Sequence, residues 1–186
     1  WVWMLLTICI VNWNTRDDLR RCLDSLAAGA GALDIEVFVV DNASSDGSPE
    51  MVEKDYPHIR LIRNTANTGF AHANNQAIRQ STGDYVLLLN SDTIVNPGAL
   101  AALVAGMKAD PKVGIGGPKL LNPDGSLQYS CRHFPTFSAG ILRNSAFGRW
   151  FSGNKKVRDY LMTDFDHASV REVDWVSGAA LCIRRT

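Results

Sequence analysis

Apolar residues follow two rhythms along the first half of the chain. Leu5 to Val11 is a β-rich apolar run, after which Leu19, Cys22, Leu23 and Leu26 recur at helical spacing. Asn14 or Thr15 stands where a helix cap belongs, and Asp17 and Asp18 set carboxylates at the positive end of that helix. Gly29 and Gly31 mark its stop. Ile35 to Val40 predicts a second strand, and Ser48-Pro49-Glu50 signals a second helix. Ile59 to Ile62 is a third, shorter strand, followed by a helix from about Ala71 to Ser81 that Gly83 closes. Tyr85 to Leu89 is apolar throughout, as a central strand buried on both faces should be. Pro97 opens a helix carrying Leu100, Leu103, Val104 and Met107.

Strands and helices alternating at this spacing predict βαβ units with right-handed crossovers, hence an α/β fold with an open, mostly parallel sheet and flanking helices. Such sheets bind ligands outside the carboxyl ends of their strands. The polar residues Asn12, Asp41 and Asn90-Ser91-Asp92 fall at those ends. Beyond Val113 the rhythm changes. Val113 to Leu121 is strand-like, Asn122-Pro123-Asp124-Gly125 is a turn, and Leu127 to Cys131 returns as a hairpin. Residues 132–170 show no clear period, whereas Val173 to Val176 and Ala179 to Ile183 again read as extended.

Composition narrows the function classes. The 186 residues carry 19 Lys+Arg against 19 Asp+Glu, so no basic excess exists to drive whole-chain nucleic-acid binding. With 46% hydrophobic residues the chain has enough apolar surface to fold, which excludes disorder as its main state. No apolar run is long enough to span a bilayer. Trp1 to Val11 lacks the basic start and the cleavage site of a signal peptide. A start at Trp1 and an end straight after an apolar run point to a piece of a longer protein. Cys9, Cys22, Cys131 and Cys182 lack ligand spacing and read as buried reduced thiols. The four histidines, His58, His72, His133 and His167, lack it too.

Three segments carry candidate chemistry. Asp41 ends a buried strand, where a carboxylate can accept from a ribose hydroxyl or a base N–H. In the following loop, Ser44, Asp46 and Ser48 fit an Asx-turn and helix cap without any ligand. In Asn90-Ser91-Asp92, the last carboxylate suits a hard divalent cation whose shell substrate phosphates complete. The structural alternative is a strand-end turn. Asn67-Thr68-Gly69-Phe70-Ala71 leads into a helix whose N–H groups attract anions, while Ala71 and Ala73 suit tight packing. Asn67 and Asn74 are polar where packing would favour carbon. A stretch with Arg143, Phe147, Arg149, Trp150, Phe151, Lys155, Lys156 and Arg158 could meet an anionic membrane surface or be a loop with snorkelling side chains.

Taken in order, several motifs resemble the family-2 glycosyltransferases of the GT-A fold, above all bacterial rhamnosyltransferase-like members that build cell-surface polysaccharide. They are Ile10-Val11-Asn12-Trp13-Asn14, Val39-Val40-Asp41-Asn42-Ala43-Ser44-Ser45-Asp46-Gly47-Ser48, Asn67-Thr68-Gly69-Phe70-Ala71 with Asn74, Leu88-Leu89-Asn90-Ser91-Asp92, and Asp174-Trp175-Val176-Ser177-Gly178-Ala179. The resemblance spans nearly the whole chain. It implies one GT-A domain, with a nucleotide-sugar-binding part over about 1–121 and an incomplete acceptor-side part over about 122–186.

The resemblance further implies a donor such as dTDP-rhamnose or a UDP-sugar, a saccharide or lipid-linked acceptor, and inverting transfer. Asn12 and Asp41 would line the nucleoside pocket, with Asn67, Gly69 and Asn74 supporting the donor side. Asn90, Ser91 and Asp92 would form the DXD-like turn, Asp92 holding Mg²⁺ or Mn²⁺ against the diphosphate. Asn90 replaces the first acidic position. The general base is expected beyond Thr186, because Asp164, Asp166, Glu172 and Asp174 do not sit at the matching position. A cytoplasmic setting at the inner face of the cell membrane is implied, with no nucleic-acid partner. Two other readings are a noncatalytic nucleotide-sugar-binding fragment and a Rossmann-type dehydrogenase or methyltransferase. The latter suits Asp41, but Val11 to Arg16 lacks the glycines needed after a first strand.

Overall fold

The computed structural model describes residues 5–134 and 155–185. Its largest sheet grows outward from β1 (Leu5–Asn12), whose apolar interior is buried because strands pair with it on both sides. β2 (Asp34–Asp41) and β4 (Tyr85–Asn90) flank it in parallel, and β3 (Arg60–Arg63) pairs with the outer side of β2. β10 (Ala180–Arg184) runs antiparallel between β4 and β5 (Ile115–Gly116). The order is therefore β3-β2-β1-β4-β10-β5, an open and mostly parallel sheet as the alternation predicts.

Leu6, Ile8, Ile10, Phe38, Val39, Leu87 and Leu89 are fully buried. Each such side chain contributes roughly 1.5–3 kcal/mol through apolar burial. α1 (Arg16–Ala30) turns Leu19, Cys22, Leu23 and Leu26 inward, and Gly31, at φ 60°, follows its last residue. α2 (Ser48–Asp55), α3 (Phe70–Gln80) and α4 (Ala99–Ala109) complete the helices of this region. On α3 the small residues Ala73 and Ala77 let the helix settle on Cys9, Phe38, Val40 and Val86.

The amino-terminal edge of the sheet is fastened by one carboxylate. Glu36 Oε1 accepts from Thr7 Oγ1 at 2.6 Å, Thr82 N at 2.6 Å and Gly83 N at 3.2 Å. Burial pushes the Glu36 carboxyl up, and the hydrogen bonds outweigh it, leaving the group below its ordinary value. Gly83 is obligatory there, because a Cβ would stand 2.6 Å from Thr7 Oγ1 and 2.7 Å from Thr7 N. Two arginines after Ile183 satisfy helix carboxyl ends. Arg184 donates to Met107 O, to Asp110 O at 3.0 Å and to Tyr85 Oη at 2.8 Å. Arg185 donates to Ser81 O at 2.6 Å and Ile78 O at 2.9 Å.

The chain divides into two compact units, one formed by Trp1–Pro118 with Gly178–Thr186 and the other by Lys119–Ser177. In the second, β6 (Leu120–Leu121) and β7 (Leu127–Gln128) form the expected hairpin around Asn122-Pro123-Asp124-Gly125. β8 (Cys131–Arg132) pairs with β9 (Trp175–Val176), and α5 (Lys155–Leu161) lies in the segment without clear period. Its core is Cys131, Met162 and Phe165, flanked by Val173 and Val176.

Several expectations are corrected. The strand-like run from Val113 to Leu121 is interrupted and supplies β5 and β6 to different sheets. Neither Asn14 nor Thr15 caps α1 through its side chain; Asp46 Oδ2 accepts the Arg16 N–H at 2.8 Å instead. Arg143, Phe147, Arg149, Trp150 and Phe151 of the basic-aromatic stretch lie outside the described residues. All four cysteines are free and buried. Burial pushes the thiols of Cys9 and Cys22 up to about 12 and that of Cys182 to about 11.

Candidate functional site

Parallel pairing brings three of the sequence-predicted positions to one edge. Asn12 lies opposite Asp41, and Val11 opposite Asn90. At a strand spacing of about 4.8 Å, the ends of β2 and β4 stand roughly 10 Å apart across β1. From β1 the chain crosses to β2 on one side, and β4 adds on the other. The crevice outside such a switch point is where open α/β sheets take ligands.

The polar groups at this edge are joined by hydrogen bonds. Asn12, wholly buried, donates from Nδ2 to Asp41 Oδ1 at 2.9 Å and to Ser44 Oγ at 3.1 Å. Asp41 is 2% exposed, and its Oδ2 accepts the Ser44 N–H at 2.8 Å. Thr15 Oγ1 donates to Asn12 Oδ1 at 2.7 Å and lies 2.9 Å from Ser91 Oγ. The ends of β2, β1 and β4 thus belong to one bonded run, Asp41–Asn12–Thr15–Ser91. Both amide hydrogens of Asn12 are spent inside the protein, so its part in a pocket is to orient Asp41 and Ser44.

The loop after β2 makes the expected Asx-turn, while the N-cap position of α2 is Gly47, with no side-chain cap. Asp46 Oδ1 accepts from Ser48 N at 3.0 Å and Ser48 Oγ at 2.5 Å. Burial pushes the Asp46 carboxyl up, and bonds from Ser48 and the Arg16 N–H bring it below its ordinary value. Asn14 and Ala43 both hold left-handed backbone, at φ 55° and 62°. For alanine this costs on the order of 1 kcal/mol and is sustained by surrounding bonds. Among them, Asn14 N donates to Ser44 Oγ at 2.9 Å, and Ser45 N to Asn14 Oδ1 at 2.8 Å.

On the third segment, Asn67 is exposed rather than at a packing position, and its Oδ1 accepts the Gly69 N–H at 2.9 Å. Gly69 takes φ 79° and ψ 167°, which only glycine adopts readily, and a Cβ there would meet no atom within 4 Å. Its role is conformational, opening α3. Asn74 is buried, donates to Phe70 O at 3.0 Å, and leaves Oδ1 without a partner among the described residues.

Residues not singled out as site groups hold this segment to β2. Asn64 Nδ2 donates to Asn42 Oδ1 and Gln76 Oε1, each at 2.9 Å, and Thr68 Oγ1 donates to Asn42 Oδ1 at 3.1 Å. Nothing in the local sequence around Asn64 or Gln76 signals this. The signal for Thr15 is its position three residues after Asn12, yet a threonine ahead of a helix reads first as a cap.

Asp92 is exposed, and among the described residues no hydrogen bond or ion pair engages its carboxylate. No group of three or more His, Cys, Asp or Glu side chains is assembled for a metal among the described residues. One free carboxylate on a turn, with Asn90 and Ser91 beside it, fits Mg²⁺ or Mn²⁺ held chiefly by water and a ligand's phosphate oxygens. It does not fit an all-protein cage. The second unit carries its own pair: His133 Nδ1 lies 3.1 Å from Asp174 Oδ2, which also accepts the Phe134 N–H at 2.9 Å. The Phe134 bond first and His133 next hold the Asp174 carboxyl below its ordinary value.

Comparison with known proteins agrees with this geometry. The profile of glycosyl transferase family 2 matches residues 7–170. The chain is 30% identical, over 98% of its length, to N-acetylglucosaminyl-diphospho-decaprenol L-rhamnosyltransferase of Mycobacterium tuberculosis and spans 62% of that protein. It is 29% identical over 92% of its length to chondroitin synthase of Pasteurella multocida, of which it spans 18%. A mannosyltransferase from Pyrobaculum calidifontis, solved with GDP-Man and Mn²⁺, superposes with a TM-score of 0.54 at 28% identity, covering 74% of this chain and 38% of that one. S. aureus TarS 1-349 with UDP-GlcNAc superposes with a TM-score of 0.57 at 25% identity, covering 68% of this chain and 38% of that one. With its sheet order, its strand-end residues and a family match over most of its length in agreement, the chain belongs to glycosyl transferase family 2.

Proposed function

We propose that the chain forms the donor-binding core of an inverting glycosyltransferase. It would transfer a sugar, rhamnose favoured, from a nucleoside-diphosphate sugar to a saccharide or lipid-linked acceptor of cell-surface polysaccharide. The observation that carries this reading is the bonded run Asp41–Asn12–Thr15–Ser91 across the switch point, with the free Asp92 carboxylate next to Ser91. Rhamnose and a lipid-linked acceptor are supported by the name of the mycobacterial relative, and a nucleotide-sugar donor by the ligands of the two solved structures. A lipid-linked acceptor would place the reaction at a membrane, and the reading extends to its cytoplasmic face, reached by peripheral contact.

The chemistry divides along the crevice. Asp41, held by Asn12 and the Ser44 N–H, would accept from the nucleoside. Asn67 and Gly69 shape the α3 entrance on the donor side, and Asn74 stiffens its first turn. Asn90, Ser91 and Asp92 would form the turn beside the diphosphate, with Asp92 on its cation. Transfer expels a nucleoside diphosphate, so negative charge grows on the leaving oxygen; Mg²⁺ or Mn²⁺ held at Asp92 would stabilise that charge. The acceptor hydroxyl must attack from the opposite face and lose its proton to a base. No residue at this crevice is assigned that task.

Titration calorimetry with UDP and with dTDP, each with and without Mn²⁺, tests the reading. Binding of at least one nucleotide, tightened by the cation, is expected. No heat with either nucleotide would contradict it.

A further inference from the structure

Hydrogen counting along the strand-end run gives Thr15 a definite task. A carboxylate only accepts, so the amide group of Asn12 that meets Asp41 Oδ1 is its NH₂, and Oδ1 faces Thr15. Asn12 Oδ1 also only accepts, so the single Thr15 hydroxyl hydrogen is spent on it at 2.7 Å. The 2.9 Å contact with Ser91 is then made by the Ser91 hydrogen, donated to Thr15 Oγ1. All donors point one way: Ser91 to Thr15, Thr15 to Asn12, Asn12 to Asp41. Ser91 is half-buried and keeps only lone pairs for anything that approaches it.

The position of Thr15 supports this. It is the N-cap residue of α1, where a threonine hydroxyl ordinarily accepts from its own helix. Here it makes no such bond, and Asp46 serves the Arg16 N–H. The hydroxyl is thus released from capping and turned to Asn12, the last residue of β1, and Ser91, in the turn that follows β4.

We infer that Thr15 is a positioning residue: its hydroxyl fixes Ser91 as a hydrogen-bond acceptor at the donor crevice, for a ligand O–H group. A phosphate oxygen, itself an acceptor, is not what Ser91 would receive. The O–H belongs either to a sugar or ribose hydroxyl or to water on a bound cation. This inference rests on the proposed donor site and deepens it.

A double-mutant cycle of Thr15→Val and Ser91→Ala, read by UDP-sugar and dTDP-sugar affinity with and without Mn²⁺, tests it. Each single change should weaken binding roughly fivefold, as loss of one net hydrogen bond does. The double change should be no weaker than either single, and Thr15→Ser should restore wild-type affinity. A loss confined to the Mn²⁺ arm assigns the O–H to cation-bound water, and a loss in both arms to a sugar or ribose hydroxyl. Thr15→Ala serves in the cycle if the valine variant does not fold. Additive losses, wild-type affinity in Thr15→Val, or failure of Thr15→Ser to restore binding would overturn the inference. A ligand-free measurement keeps it separate from the donor-site reading. Amide resonances of Ser91 and Asp92 should move in Thr15→Val and stay in Thr15→Ser, whether or not the wild-type chain binds a nucleotide. Unmoved resonances in Thr15→Val would also overturn it.

Discussion

The two compact units solve the same problem with different means. The sheet unit buries long apolar strands on both faces and concentrates its polar bonds at the strand ends. The unit of residues 119–177 uses two-residue strands around three buried side chains, Cys131, Met162 and Phe165. A broad core lets Asn12 and Asp41 be buried as a bonded pair, because neighbouring strands hold both backbones in register. The small core of the other unit leaves its polar pair, His133 and Asp174, partly exposed. Buried polar networks demand rigid surroundings, since a half-satisfied one costs more than none.

Truncations should separate the units most sharply. Phe38→Ala, in the middle of the sheet, should cost about 3–5 kcal/mol and abolish nucleotide binding, measured by urea unfolding and calorimetry. Met162→Ala should cost about 2 kcal/mol, with faster hydrogen exchange confined to amides of residues 119–177. Exchange that accelerates equally in β1 and β4 would contradict the division.

Asn12→Ala probes the buried network. It removes partners of Asp41, Ser44 and Thr15 together and should cost about 3 kcal/mol in urea unfolding. Asp92→Asn should leave stability within about 0.5 kcal/mol, because the side chain is exposed, while removing at least tenfold of the Mn²⁺-dependent gain in nucleotide affinity.

The smallest expected effect concerns acid. The Asp46 carboxyl lies below its ordinary value in the fold, so the stability it confers is fully present above the unfolded value, near pH 4. It is lost as pH falls through the lower folded value. Asp46→Asn should therefore flatten the decline in stability below about pH 4 and leave its pH dependence above pH 5 unchanged.

The fold was legible where burial imposed a period. β1, β2 and β4 read directly from apolar runs, and α1 and α4 from i, i+3, i+4 spacing, because each faces a continuous core; α2 was announced only by its Ser48-Pro49-Glu50 start. The stretches holding β5 to β9 read as extended, but their bounds and partners did not, since a two-residue strand is too short to show alternation, and α5 lies in a segment with no marked amphipathic rhythm. At the site, Asp41 and Asp92 stood out as polar groups ending apolar strands. The Thr15 hydroxyl and the Asn42–Asn64–Gln76 bonds were hidden, because they join residues far apart in the chain through geometry that only the assembled sheet creates. Asn67 was misplaced for a different reason: its partner, the Gly69 N–H two residues on, is a backbone group that hydropathy does not reveal.

The central claim is that one nucleotide-sugar site spans the carboxyl ends of β2, β1 and β4. Amide resonances followed during titration with dTDP-rhamnose and with a UDP-sugar, each in Mg²⁺, test it most directly. The account predicts shifts concentrated at residues 41–46, 67–70 and 90–93, with residues 31–33 and 81–84 at the opposite edge unmoved. Shifts confined to that opposite edge, or none with either nucleotide, would contradict it.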